Sequence, residues 1–416
     1  MSFTEFSFQQ QLQANLDSCG YLSPTPIQQQ AIGPVLDGRD LLGLAQTGTG
    51  KTAAFVLPIL QRLLSGPRGC LRALIISPTR ELAEQTHDYI TKLASRTKLR
   101  SAVVSGGVGK PAQIARIKSG AEIIVACPGR LLDLAQDGVI NFSKVQTLVL
   151  DEADHMFDKG FLPDIRRIVK LLPKQRQNLV FSATMPSEIR TLVEGLLTDP
   201  VTVQVDHDKT IDTIDHVFLR VAQHNKIVLL RDILQHGTVS TAIVFTRTKH
   251  KAKSLAQQLV KAGHNATSLQ GNLSQQKRQE ALNGFKNGTY TILVATDIAA
   301  RGIDVSDISH IINFDMPETT ETYTHRTGRT GRAKRHGEAL SFIAEDNGRL
   351  ASALERILGN KLVYRDHSHT SQAAARTGNQ PQEAEQRKQK VDRNKRPQRG
   401  KRSSQRNRSL SFDFGV

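Results

Sequence analysis

The sequence predicts an α/β protein of two tandem domains, each a parallel β-sheet with helices on both faces. Three observations carry this reading. The chain has 416 residues, more than one ordinary core organises, so two folded domains are the natural expectation. Short apolar runs alternate with amphipathic stretches from about residue 30 to residue 345. Those runs are continuous rather than alternating, as in strands buried on both faces, and parallel strands need a helical crossover between them.

In chain order, Asp40–Leu44 reads as a strand and Ala53–Leu64 as the helix after it. Ala73–Ser77, Glu122–Ala126, Thr147–Leu150 and Leu179–Phe181 read as further buried strands of the first half. Ala242–Phe245, Thr291–Ala295, His310–Phe314 and Ala339–Ile343 do the same in the second. Each is rich in β-branched residues or Leu and stops at polar residues or Gly. Ala252, Leu255, Ala256, Leu259 and Val260 recur at helical spacing, which predicts a core-facing stripe rather than a site. The segment 206–213 is polar and has no core pattern. The expected organisation is therefore domain 1 over residues 1–205, a linker over 206–214 that permits relative motion, and domain 2 over 215–365. Residues 366–416 carry twelve Lys/Arg against five Asp/Glu, with abundant Gln, Ser and Asn. Such a tail cannot bury enough apolar surface to offset its chain entropy and is expected to be disordered.

Composition narrows the function. The formal net charge is +17, which suits a polyanionic partner such as nucleic acid or an anionic membrane surface; a merely solvated basic surface is the bland alternative. Cys19, Cys70 and Cys127 are isolated, with no C-x-x-C pair, which argues against a disulfide framework and a zinc site. Met1–Gln10 lacks the pattern of a signal peptide, and no apolar run approaches the roughly 20 residues that span a bilayer. A cytoplasmic protein with no membrane contact is expected.

Two patterns carry chemistry. Ala45-Gln-Thr-Gly-Thr-Gly-Lys-Thr52 lies between a strand-like and a helix-like run, the context of a phosphate-binding loop. Thr47, Gly48, Thr49 and Gly50 would turn backbone N–H groups toward phosphate oxygens, and the helix N-terminus adds its positive dipole end. Lys51 would place a charge on the β/γ-phosphates and Thr52 a hydroxyl on Mg²⁺. The general pattern begins with Gly, where this chain has Ala45. About a hundred residues later, Val149-Leu-Asp-Glu-Ala-Asp154 is a strand ending in carboxylates. Asp151 is the candidate Mg²⁺ ligand, and Glu152 is placed to orient or deprotonate an attacking water. Taken alone, an acidic strand end is more often a turn or a helix cap.

The residues Asp151-Glu-Ala-Asp154 spell the signature of the DEAD-box ATP-dependent RNA helicases, which this chain resembles over roughly residues 3–345. Gly20-Tyr21 with Pro24–Gln28 resembles the family's Q motif. Pro78–Leu82, Gly106-Gly107, Pro128–Arg130 and Ser182–Thr184 resemble later motifs of the first domain, and Val244–Thr248, Gln270–Asn272 with Arg278, Ala295–Asp304 and His325–Arg332 those of the second. The flavour is similar to the short bacterial RhlE-type branch.

The resemblance implies two RecA-like domains, ATP and Mg²⁺ as nucleotide and metal, and RNA as partner, with the core showing little sequence preference. It implies that Gln28 reads adenine, an assignment that amide chemistry suits, and that Phe3 or Tyr21 stacks on the base. For Phe3, packing an N-terminal helix is the competing role. Arg329 and Arg332 are implied as arginine fingers on the γ-phosphate, whose transition state spreads negative charge. Asp304 would contact the ribose or these arginines. His325 would link to Ser182 and Thr184, which couple hydrolysis to strand separation. RNA contacts are implied at Arg80, Gly107 and Arg130 in the first domain and at Arg247, Gly271, Arg278 and Thr296 in the second; some of these could equally be surface charges or caps. The implied activity is RNA-stimulated ATP hydrolysis coupled to local, non-processive duplex unwinding or ribonucleoprotein remodelling. An ATP-gated RNA clamp is the alternative, and a DNA translocase is a further one. The protein is expected to be a monomer, with ribosome-assembly or RNA-decay proteins as possible partners.

One departure stands out. The family usually has Thr just before Pro-Gly-Arg, and this chain has Cys127. A thiol is a poor N-cap and a poor phosphate donor, which puts that one contact in doubt, while Pro128 still suits the first helical position.

Overall fold

The computed structural model describes residues 2–46, 48–205, 214–300, 308–331, 336–344 and 347–365. Thr47, Asp304, Arg332, linker residues 206–213 and the tail from residue 366 onward lie outside the described residues.

Two seven-stranded parallel sheets form two lobes. Lobe 1 contains β1 (Leu41–Leu44), β2 (Ala73–Ile76), β3 (Ser101–Val104), β4 (Ile123–Ala126), β5 (Thr147–Leu150), β6 (Gln177–Ser182) and β7 (Val201–Gln204), in the order β3-β4-β2-β5-β6-β1-β7. Lobe 2 contains β8 (Ile214–Arg220), β9 (Ala242–Phe245), β10 (Ala266–Leu269), β11 (Ile292–Ala295), β12 (His310–Asn313), β13 (Gly337–Ile343) and β14 (Leu362–Arg365), in the order β10-β11-β9-β12-β13-β8-β14. Counted from its own first strand, lobe 2 repeats the order of lobe 1. Ile214, assigned above to the linker, is the first residue of β8 and is buried.

The continuous apolar strands feed a core on each face of each sheet. Along β5, Val149 joins one core and Leu148 and Leu150 the other, because successive side chains point to opposite faces. Each fully buried Leu, Ile, Val or Phe stabilises the lobe by about 1.5–3 kcal/mol relative to exposure. Gly43 of β1 is required by close packing: a Cβ there would lie 2.6 Å from the Phe181 ring, which itself packs on Phe55 at 5.2 Å between centroids. In the helix Lys249–Lys261 the predicted stripe is buried at Ala252, Leu255, Ala256 and Leu259. Val260 departs from it and is 53% exposed, because it falls at the margin of the roughly 100° apolar stripe that faces the core.

The strand ends carry the loops that matter. Thr79, Thr248 and Thr319 each cap a helix by accepting from the backbone N–H three residues on, at 3.2 Å. These caps satisfy donors the helix cannot, and they fix the Arg80, Arg247 and His325 segments beside the carboxyl ends of parallel strands, where open α/β sheets bind ligands.

Candidate active site and nucleic-acid groove

The phosphate-binding loop leaves β1 and enters the helix Lys51–Leu63 through Gly50, at φ 95°. That left-handed conformation favours glycine. A Cβ at Gly50 would also come within 2.5 Å of Gln28 Nε2. Gln28 is 3% exposed; its Oε1 accepts from Thr25 N at 2.9 Å and its Nε2 donates to Gly50 O at 3.1 Å. The side chain therefore joins the Q motif to the phosphate loop and keeps one N–H and one lone pair for a base edge. Lys51 is buried and donates from Nζ to Ala45 O at 2.8 Å, a bond within the loop itself.

Of the two aromatic candidates, Phe3 is 1% exposed and belongs to the lobe 1 core, edge-on to Tyr21 at 5.6 Å. That is the packing role. Tyr21 is half-buried and hydrogen-bonds the Tyr89 hydroxyl.

Asp151 and Glu152 follow β5 and are both buried. Burial pushes the Asp151 carboxyl up to about 7, against the pull of Lys51. Burial acts on Glu152 in the same direction, but the His155 hydrogen bond, Lys51 and Arg329 bring it down to about 2. Glu152 sits at φ 52°, a conformation costing on the order of 1–3 kcal/mol outside glycine. Its Oε2 lies 3.3 Å from His155 Nδ1. The fourth residue of the signature, Asp154, was given no role from sequence. Its Oδ2 accepts from Ala183 N, Thr184 N and Thr184 Oγ1 at 3.0–3.2 Å, and its own N–H donates to Ser182 Oγ. Asp154 thus ties the β5 end to the Ser182–Thr184 loop at the end of β6. No spacing rule shows this; it arises because β5 and β6 are neighbours in the sheet.

Lobe 2 closes this cleft. Gln46, Lys51, Glu152, Asp154 and Ala183 from lobe 1 line one cavity with His325 and Arg329 from lobe 2. His325 and Arg329 lie on or just after the helix Thr320–Thr327, so the described residues of the phosphate loop, the acidic strand end and the basic segment line one cavity. The Asp151 carboxylate and Thr52 hydroxyl are hard oxygen donors of the kind Mg²⁺ takes. Among the described residues there is no cluster of three or more His, Cys, Asp or Glu side chains that could hold a metal ion.

A second groove, of about 690 Å³, runs between the lobes. Arg80 and Arg130 line it from lobe 1, and Arg247, Gly271, Arg278 and Thr296 from lobe 2. Gly107 adjoins it: a Cβ there would fall on the Arg80 guanidinium. Lys159 and Lys249, not singled out from sequence, add two more cations. Arg278 Nε donates to the buried Glu81 Oε1 at 2.7 Å, and Arg80 NH1 to Gln275 Oε1 at 3.3 Å. Both bonds join lobe 1 to lobe 2. Cys127 is the N-cap of the helix Pro128–Gln136 with no side-chain capping bond, and burial pushes its thiol up to about 12.

Such a fold and site define a two-lobed P-loop ATPase whose nucleotide cleft and basic groove share one interface. Residues 25–192 match the DEAD/DEAH box helicase family model, and residues 225–334 the helicase conserved C-terminal domain. The chain is 41% identical over 359 residues to the ATP-dependent RNA helicase CshA of Limosilactobacillus reuteri, covering 86% of this chain and 72% of that protein. The structure resembles S. cerevisiae Dbp5 bound to RNA and ADP BeF3 with a TM-score of 0.80 and 29% identity, over 90% of this chain and 98% of that one. A Dbp5 variant bound to Nup159, a Gle1 variant, IP6 and ADP gives 0.64 and 28%, over 89% and 98%. The chain belongs to the DEAD-box family of ATP-dependent RNA helicases.

Proposed function

We propose that the chain hydrolyses ATP with Mg²⁺ in the interlobe cleft and uses closure to grip one RNA strand across the second groove, separating short duplexes locally and non-processively. One observation carries this: the same two lobes meet on both sides. Lys51 and Glu152 face His325 and Arg329 in the cleft, and Glu81 is bonded to Arg278 in the groove. A ligand that favours closure at one site then favours binding at the other, which is reciprocal linkage.

On this reading Lys51 and Thr52 hold the phosphates and Mg²⁺ with Asp151. Bound Mg²⁺ neutralises phosphate charge. Glu152 orients and deprotonates the attacking water, held by His155, while Arg329 stabilises the transferring phosphoryl group. Arg332 and Asp304 are assigned the same cleft on the motif alone. Gln28, with Tyr21, holds the base, and Asp154 relays the cleft to Ser182, Thr184 and His325. Arg80, Gly107, Arg130, Arg247, Gly271, Arg278 and Thr296 contact the RNA backbone without reading sequence. Residues 1–205 and 215–365 act as the two moving bodies, and the basic residues of 366–416 tether RNA electrostatically.

Within the family, an RhlE-type placement is one proposal, and the 41% identity to the CshA of Limosilactobacillus reuteri supports a CshA-type one instead. Among the described residues no helix is long and apolar enough to cross a membrane; a cytoplasmic monomer, working with ribosome-assembly or RNA-decay proteins, is the corresponding proposal.

The Arg278–Glu81 bond favours a second reading, an ATP-gated clamp that dwells on RNA and unwinds little. Duplex release measured beside RNA-stimulated ATPase separates the two: helicase action gives ATP-dependent release of short duplexes, a clamp gives stimulation without release. Glu152→Gln should bind ATP and RNA yet fail to hydrolyse and dissociate slowly; wild-type turnover would remove Glu152 from the chemistry.

A further inference from the structure

Behind the lobe 2 wall of the groove lies a buried ionic cluster that the chemistry above does not use. Asp315, just after β12, is 5% exposed. Its Oδ2 accepts from Arg247 N at 3.0 Å, and its Oδ1 accepts from Lys251 Nζ at 2.6 Å. Lys226 Nζ stands 3.7 Å from the same Oδ1 and donates to Phe314 O at 3.0 Å. The Asp315 carbonyl accepts from Arg326 NH1 at 2.7 Å, and Arg326 pairs through two nitrogens with Asp297, next to Thr296. The two loops that carry Arg247 and Thr296 into the groove are thus pinned to one node. The helix that bears Arg326 continues toward Arg329 in the nucleotide cleft.

Lys251 is the part of this node that can be altered without opening the core. Its ammonium lies over the Phe314 ring at 4.9 Å, and its side chain is 33% exposed. Uncompensated burial would raise the cost of the Asp315 carboxylate; Lys251 holds it ionised, and an ionised carboxylate is the stronger acceptor for a backbone N–H. We propose that Lys251 and Asp315 are positioning residues: their ion pair fixes the backbone at Arg247, and so the reach of that guanidinium to RNA phosphate. The inference rests on the RNA-groove reading above. It gives Lys251 no contact with RNA or ATP.

The test uses the full chain and a single-stranded homopolymer RNA. The RNA concentration for half-maximal ATPase and kcat at saturating RNA are compared for wild type, Lys251→Met, Lys251→Arg, Arg247→Ala and Lys251→Met/Arg247→Ala. Lys251→Met should raise the RNA requirement about three- to tenfold, within the lower part of the range of coupling between residues in one network, with kcat at saturating RNA and ATPase without RNA unchanged. Lys251→Arg, which keeps the charge, should restore the wild-type requirement. In the Arg247→Ala background, Lys251→Met should add almost nothing, because the group it positions is gone. Additive effects would mean that Lys251 meets phosphate itself, and equal falls in kcat and RNA affinity would mean a general defect; either overturns the proposal, as does failure of Lys251→Arg to restore it. An Arg247→Ala variant with the wild-type requirement overturns the groove reading at Arg247 together with this inference, whereas an effect of Arg247→Ala with none from Lys251→Met overturns this inference alone.

Discussion

Lobe 1 and lobe 2 share one strand order, yet only one first strand opens into a phosphate loop. After β1 the chain runs through Gly48 and Gly50, both at positive φ, and Lys51 begins the helix. After β8 it runs Val221-Ala-Gln-His-Asn225 with no glycine, takes a single 3-10 turn, and Lys226 begins the helix Lys226–His236. The acidic strand ends show the same parallel: Asp151 follows β5, and Asp315 follows β12, the matching strand. In lobe 1 the lysine donates to a carbonyl of its own loop, which a phosphate oxygen can replace. In lobe 2 the lysine is tied to Phe314 O and stands by Asp315. The difference teaches that topology supplies a lysine and an acid near one point twice. Glycines that open the loop make one pair a site, and a filled interior makes the other a strut.

Lobe 2 nevertheless contributes to the nucleotide cleft, and the largest expected effect breaks the comparison there. Arg329→Ala should lower kcat for ATP by on the order of 10³ or more, as arginine fingers do, with KM for ATP little changed; steady-state kinetics at saturating RNA decide, and a raised KM with kcat intact would make Arg329 a ground-state binder. The matched lysines come next. Lys51→Ala should cost on the order of 10²–10³ in kcat, the usual loss for one preorganised electrostatic donor, with an unchanged thermal melt. Lys226→Met should do the reverse, costing about 2 kcal/mol of stability through a lost buried bond and partner while kcat at saturating RNA stays near wild type. A Lys226→Met variant that loses ATP turnover would end the contrast.

A comparable effect on stability separates the lobes by pH. β8 carries His216, 1% exposed and bonded to the Tyr323 hydroxyl at 2.8 Å, whereas β1 is apolar throughout. Burial drives the His216 imidazole from 6.5 down to about 4. The unfolded chain then binds a proton that the folded chain refuses, so this contribution is complete above about pH 6.5 and is lost as pH falls toward 4. The expected loss is about 3 kcal/mol, read by hydrogen exchange of the β8 amides. His216→Gln should flatten that dependence; an unchanged slope would assign it to another group. The smallest effect lies in lobe 1. Cys127→Thr should tighten RNA binding by about 1 kcal/mol through one added hydroxyl–phosphate bond and leave ATP turnover alone, by titration with labelled RNA. Looser binding would show that the partly buried thiol is needed as packing.

The sequence by itself determined the two parallel α/β lobes, the central strands and the motif residues of the cleft, because continuous apolar runs and glycine-lysine spacing are local signals. The strands it did not announce are β3, β7, β10 and β14, the four sheet edges, and β8. An edge strand is covered on fewer sides, so β7 exposes two of its four residues and β14 three of four, and both lack the apolar run. Polar Asp215 and His216 hide β8 in the same way. Only the tertiary structure decided that Asp154 holds the Ser182–Thr184 loop, that Glu81 meets Arg278 across the lobes, that Phe3 is core, and that Lys251 and Asp315 stand behind Arg247. Asp154 and Thr184 are 30 residues apart, Lys251 and Asp315 64, and Glu81 and Arg278 197, and a charged side chain reads the same in sequence whether it faces solvent, a ligand or a buried partner. Its neighbours in space set its role, and they are fixed only when the sheets have formed and the lobes have met.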